Sequence, residues 1–313
     1  MLTMTDRSPQ VDPAWDKKVQ SHRRVHFTDW LSWCDGVLWT AVPHRDQLAW
    51  VAEQKKRTLV FVLWHELTAE DRPTLADATL TIAPSVASAR FLGDHWSLRN
   101  VVVTPWDCGQ PMFKKPSSYV PENPRIIMPL YDGVARRIET TALDIAARAL
   151  HFHPNASFTF AYNSSTLASP GKRRIKEIRR MFPDRVTVLQ GVSPPNRPLL
   201  FSQHDITFWP TTWESTCMVG LLSTTMGTPV ITFNYRPVDE FFVDDVHGVL
   251  VETQESQNAI GLPRAAPDYT LMDEMLHHLL MDTDSLRALQ QSVLKGICAR
   301  RSTFHENFSR VLA

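Results

Sequence analysis

Short apolar strands alternate with amphipathic helices twice along this chain, with one Pro-rich interruption, and that pattern restricts the fold to an open α/β architecture with two parallel sheets. The first array predicts strands over Gly36–Val42, Thr58–Trp64, Thr79–Ala83 and Val101–Thr104, separated by helices over His44–Lys56, after Asp71 and over Val86–Leu92. The polar stretch from Pro111 to Pro124 reads as a linker. A second array predicts strands over Arg125–Pro129, Ser157–Tyr162 and Arg185–Leu189, helices over Ile138–Phe152 and Lys172–Met181, and closing helices over Leu271–Leu280 and Leu286–Arg301. Parallel strands need crossover helices on both faces, so two doubly wound, Rossmann-like sheets facing a ligand cleft are expected. The expected domains are residues 1–115, residues 116–300, and a helical tail over 301–313 that packs back on the first domain.

The run from His204 to Val251 carries the most chemistry. Asp205–Trp209 reads as a short buried strand and Pro210–Glu214 as a turn, after which Ser215, Thr216 and Cys217 open an apolar helix that stops at Gly227. Pro229–Phe233 returns as a second strand. A helix that begins in small residues directly after a parallel strand aims backbone N–H groups at whatever lies above the sheet, which makes an anion site.

These residues resemble the donor-binding segment of GT-B glycosyltransferases, most closely the retaining family four (glycosyl transferases group 1). That family's pattern is an Asp-led apolar strand, Pro-s-x-x-Glu-g-f-g, a second Glu after seven intervening residues, and Gly-x-Pro-Val-Ile. Asp205, Pro210, Glu214, Gly227, Pro229, Val230 and Ile231 fall in register with it, whereas Leu222 stands where the second Glu belongs. Weaker likeness covers Val186–Gly191, Ala76–Arg90 and Val101–Gly109. The family's opening strand and Gly-rich loop are not found in Met1–Asp35, so a shortened N-terminal domain is expected.

The resemblance implies roles for particular side chains. Glu214 would bind hydroxyls of the transferred sugar, although an acid at a helix start is also a common dipole stabiliser. The first turn from Ser215 and Thr216 through Cys217, Met218 and Val219 would approach the anomeric centre or phosphate. Leu222 replaces the usual ribose partner, which leaves Ser223 or Thr225 to hold that sugar, and Gly191 closes the strand before the site. Arg136 and Arg137 would neutralise the diphosphate leaving group, though a solvated first helical turn would look the same. Lys172, Arg173 and Arg174 form a second cationic run, which exposure alone would also explain. His65, at the end of an apolar strand, would sit near the reacting carbon, with Glu66 as a rival acid or base.

The formal charge is zero with 33 basic and 33 acidic residues, so any attraction to a polyanion must be local. Cys34, Cys108, Cys217 and Cys298 have no metal-ligand or disulfide spacing. Asp282-Thr-Asp284 matches a metal-binding triplet by letters but reads as a turn in which Asp284 caps the next helix, and Asp244-Asp245 also reads as a turn. No essential metal or cofactor is expected, only a nucleotide-sugar donor such as a UDP- or GDP-sugar. The polar N-terminus and the lack of a membrane-length apolar run point to the cytoplasm.

Two functional classes follow: a retaining hexosyltransferase acting on an acceptor hydroxyl, and a catalytically degenerate relative serving as a binding or partner subunit. An epimerase or phosphorylase fits the segment less well. The acceptor stays open between a hydroxymethylated pyrimidine in DNA and a saccharide or small molecule. Eight of the ten tryptophans lie at or before Trp106; they suit ring stacking, as they suit a core. His22-Arg23-Arg24 and Lys114-Lys115 are local basic clusters.

Overall fold

The computed structural model describes residues 2–5, 8–10, 35–64, 67–105, 122–130, 140–162, 167–257 and 261–295. Two compact units divide the chain, the first formed up to Trp106 and joined by Gln257–Leu262, the second beginning at Asp107.

In the first unit the strands are β1 (Leu2–Thr5), β2 (Ser8–Gln10), β3 (Gly36–Trp39), β4 (Arg57–Phe61), β5 (Leu80–Ala83) and β6 (Val101–Val103). They lie in the order β2-β1-β3-β4-β5-β6. All neighbours are parallel except β1 and β2, which pair antiparallel at the edge. β1 therefore supplies a strand ahead of β3, where the sequence led us to expect none. Its four residues are too short to show a period. The connecting helices are α1 (Arg45–Glu53), α2 (Asp71–Asp77) and α3 (Val86–Arg90), the last running into a π-turn over Phe91–His95. Trp39, Trp64 and Trp96 are buried, so these three rings fill the interior.

The second unit holds β7 (Arg125–Leu130), β8 (Ser157–Tyr162), β9 (Val186–Gln190), β10 (Ile206–Phe208), β11 (Val230–Asn234) and β12 (Gly248–Glu252). A fully parallel sheet results, ordered β12-β11-β10-β7-β8-β9. Its helices are α4 (Thr140–Phe152), α5 (Ser169–Met181), α6 (Arg197–Ser202), α7 (Met218–Thr225), α8 (Val238–Phe241), α9 (Tyr269–Met281) and α10 (283–295). A small pair, β13 (Gln254–Gln257) and β14 (Pro263–Ala266), lies outside the main sheet. β7 reads as an unbroken apolar run because both of its faces are covered: Ile126, Ile127, Met128 and Leu130 are all buried.

Carboxylates fix where several elements of this unit begin. Asp205 is fully buried just before β10, and its carboxylate accepts from the Arg125 backbone N–H at 2.9 Å and from Arg125 Nε at 3.3 Å, which ties the starts of β10 and β7 together. At the foot of α10, Asp282 accepts from the backbone N–H groups of Asp284 and Ser285 at 3.1 and 3.0 Å. The cap is thus Asp282 and not Asp284, because the carboxylate two residues earlier reaches back over the first turn. Asp244 likewise closes a turn, accepting from Leu250 N at 2.8 Å, with Asp245 in the left-handed region at φ 58°.

α4 and α9 meet through a histidine pair, His153 Nε2 to His277 Nδ1 at 2.6 Å. Beside it Arg148 Nε pairs with Asp273 Oδ2 at 2.8 Å and His277 Nε2 stands 3.5 Å from Asp273 Oδ1. One ring of the pair must accept, so both cannot carry two ring protons while the bond survives. Burial, and then the neighbouring His277, hold the His153 pKa below its ordinary value of 6.5. A histidine depressed in the folded state binds fewer protons than the unfolded chain does. Its contribution is therefore complete above pH 6.5 and is lost as pH falls below that value. Tm is expected to drop as pH is lowered from about 7 to 5.5, and His153→Gln should flatten that slope; an equal slope in the variant would remove the pair from the account.

Candidate functional site

β10 ends at Phe208, and the chain then turns across the C-terminal edge of the second unit's sheet. Trp209 N donates to Ile231 O at 2.9 Å and Thr211 N to Trp209 O at 2.8 Å, so the turn begins tightly bound. Thr212 O accepts from Ala265 N at 3.0 Å, which anchors the middle of the loop to β14. Glu214 follows, 4% exposed, with Thr211 Oγ1 at 3.5 Å from its Oε1. Ser215, Thr216 and Cys217 complete a buried passage into α7.

Cys217 is the N-cap of α7 and sits in the left-handed region, φ 51° and ψ 30°. The group 1 pattern has glycine at this position, and the conformation explains why: a side chain here costs on the order of 1 kcal/mol or more. The thiol is buried and takes part in no disulfide. Leu221 N donates to Cys217 O at 2.9 Å, the first closed turn of the helix. The N–H groups of that turn point to the same edge of the sheet as Glu214.

α7 packs flat on the sheet because Gly220 has no side chain: a Cβ there would lie 2.6 Å from Phe242 Cζ and 2.8 Å from Trp209 Cζ3. Val219 is buried in the core, while Met218 is 38% exposed and Leu222, one turn on, is half-buried on the same stripe. The position that would carry the family's second carboxylate is thus at the margin of the core, partly exposed and partly packed against it. Ser223, expected near the ribose, is fully buried; its hydroxyl donates to Thr228 O at 2.8 Å and lies 2.6 Å from Thr207 Oγ1. The contact with Thr207 fastens α7 to β10, and the bond to Thr228 fastens it to the turn before β11. Thr225 is buried too.

Gly191 ends β9 at the same edge with φ 69°, its N–H donating to Tyr162 O at 3.1 Å. His65, Glu66, Arg136 and Arg137 lie outside the described residues. A shallow cavity of about 730 Å³ opens between the end of β12 and the start of α9. Glu252 and Asp268 line it, and two carboxylates disfavour a diphosphate.

Residues 169–262, which contain β9, Gly191, Glu214, α7 and β12, match the family model described as glycosyl transferases group 1. No curated protein matches by sequence. Solved structures give the fold. HepE of Anabaena, in complex with UDP and glucose, superposes with a TM-score of 0.66 at 13% identity over 91% of this chain and 80% of that one. TarM, also solved from S. aureus, gives a TM-score of 0.68 at 10% identity over 89% of this chain and 55% of its own. The pneumococcal O-GlcNAc transferase GtfA, in complex with UDP and GlcNAc, gives 0.63 at 12% identity over 90% and 59%.

Proposed function

We propose that this chain, whose residues 169–262 match the group 1 glycosyltransferases and whose fold is that of GT-B structures, transfers a hexose from a UDP-sugar to an acceptor hydroxyl with retention at the anomeric carbon. The observation that carries this reading is the buried Glu214 at the head of α7, in register with the family's donor segment. UDP is the first donor to test because it occupies the HepE and GtfA structures.

In the reaction the bond from the anomeric carbon to the diphosphate oxygen breaks, the acceptor oxygen forms the glycosidic bond, and its proton leaves to solvent or to the departing UDP. Glu214 holds the sugar hydroxyls, so the ring is oriented before the leaving group departs. The first turn of α7, with Thr216, Cys217 and Met218, offers backbone N–H groups to the phosphate, a fixed polarity that needs no reorganisation as charge develops. The resemblance implies that Arg136 and Arg137 would add cationic charge to the diphosphate and that His65 would serve near the reacting carbon. No metal is required in this scheme.

The experiment is label transfer from UDP-glucose, UDP-GlcNAc and GDP-sugars to a panel containing hydroxymethylated DNA, unmodified DNA and simple glycosides. Label on one acceptor class establishes transfer and names the class. UDP binding without transfer to any acceptor would instead support a binding subunit, a reading motivated by Leu222.

Leu222 supplies a second test. Leu222 is only half-buried, one turn on from the exposed Met218, so a carboxylate there keeps access to solvent. Leu222→Glu is expected to tighten UDP binding by up to about 1.5–3 kcal/mol, the range of a charged hydrogen bond. Titration calorimetry reads it, and an unchanged Kd would mean that other groups hold the ribose.

A further inference from the structure

We propose that the outward face of α5, together with Phe152 beside its C-terminal end, is a docking stripe for a nucleic-acid strand. The thirteen residues of α5, SPGKRRIKEIRRM, carry six cations and one acid. Their burial splits cleanly: Gly171, Ile175 and Ile178 face the core, whereas Arg173, Lys176, Arg179 and Arg180 are exposed. Among the described residues these four cations have no ion-pair partner. Arg174 behaves differently, since it is spent on Asp144 at 2.7 Å and Glu177 at 3.3 Å and so pins the helix to α4.

From Arg173 to Arg180 the helix rises about 10 Å, so four exposed cations gather within a short length of one helix. Arginine also presents a planar fork of donors that matches phosphate oxygens. The formal charge of the whole chain is zero, so this stripe is a local excess that no net field produces.

An aromatic platform stands at the end of the stripe. Arg185, just past α5, donates from Nη1 to His153 O at 2.9 Å and lies 5.0 Å over the Phe182 ring, which brings the ends of α5 and α4 together. Phe152, the last residue of α4, is 64% exposed there and is flanked by His151 and His277 at ring separations of 5.0 and 5.6 Å. Free cations along a track, with an exposed ring on which a base stacks, are what a single strand requires. An anionic membrane fits less well. An interfacial helix lays an apolar face into the lipid, and the isoleucines of α5 are committed to the core, leaving only Met181 at the tip.

The stripe is read by binding alone, so its failure is distinct from a failure of sugar transfer. Anisotropy of a labelled single-stranded oligonucleotide with the full chain is expected to show binding at about 50 mM salt, with log K falling against log salt at a slope of roughly −2 to −3. Changing Arg173, Lys176, Arg179 and Arg180 together to Gln should weaken binding at least tenfold and bring the slope toward zero, with Tm unchanged. Phe152→Ala should weaken binding several-fold and leave the slope in place. Absence of binding at that salt would overturn the proposal, as would a quadruple variant that binds like the parent. So would binding to phosphatidylserine vesicles that the oligonucleotide fails to displace.

Discussion

Glu214→Ala is expected to lower sugar transfer by at least roughly 10²–10³-fold, the loss seen when one fixed polar contact to a transition state is removed. UDP binding and Tm should change little. The reason is position: the carboxylate stands in the turn that delivers the chain into α7, beside Thr211 Oγ1 at 3.5 Å, and is not among the side chains that build the core. Glu214→Gln keeps the shape and removes the charge, which separates orientation from electrostatics. A folded Ala variant that still turns over the donor would end the assignment.

The largest effect on stability is expected at Gly248→Ala. Gly248 opens β12 opposite Val230, and a Cβ there would lie 1.9 Å from Val230 O. The obstruction is backbone in a paired strand, so no rotamer change relieves it. Separating β12 from β11 should cost at least about 3 kcal/mol, the upper end of overpacking effects, which is a fall in Tm of about 6–12 °C. β11 also receives Trp209 N through Ile231 O, so the turn that carries Glu214 should loosen as well. Thermal unfolding with and without UDP reads both consequences, and a Tm within a degree or two of the parent would show that the strand finds another register.

The residues that announced this fold are those whose period survives burial. The sequence IIMP in β7 and the Ala-rich α4 were readable because a covered parallel strand is apolar throughout, whereas a packed helix repeats every third or fourth residue. Ser157–Tyr162 was predicted to the residue. β12 has no sequence signal of its own because its three apolar residues follow directly on an acidic turn, and α6 has none because prolines at 194, 195 and 198 suggest a loop. Which face of α7 a residue takes also needed coordinates. Leu222 and Ser223 are adjacent, about 100° apart around the axis, and one is half-buried at the margin of the core while the other is fully buried against Thr207. The same holds for Asp282 and Asp284, either of which satisfies a capping pattern by letters. Cys217 shows the converse, since its left-handed backbone is legible only through the glycine that the group 1 pattern places there.

The order of strands in the second sheet has a consequence for how the protein is made. β7 is synthesised first yet ends in the middle, between β8 and a neighbour, β10, that the ribosome delivers some eighty residues later. Until Asp205 emerges, one side of β7 has unpaired backbone groups and Arg125 lacks the carboxylate that holds its N–H. A nascent chain halted before that residue carries a long apolar strand with an open edge, the geometry that recruits other chains. The segment that carries the candidate donor site is therefore also the segment that closes this open edge during synthesis.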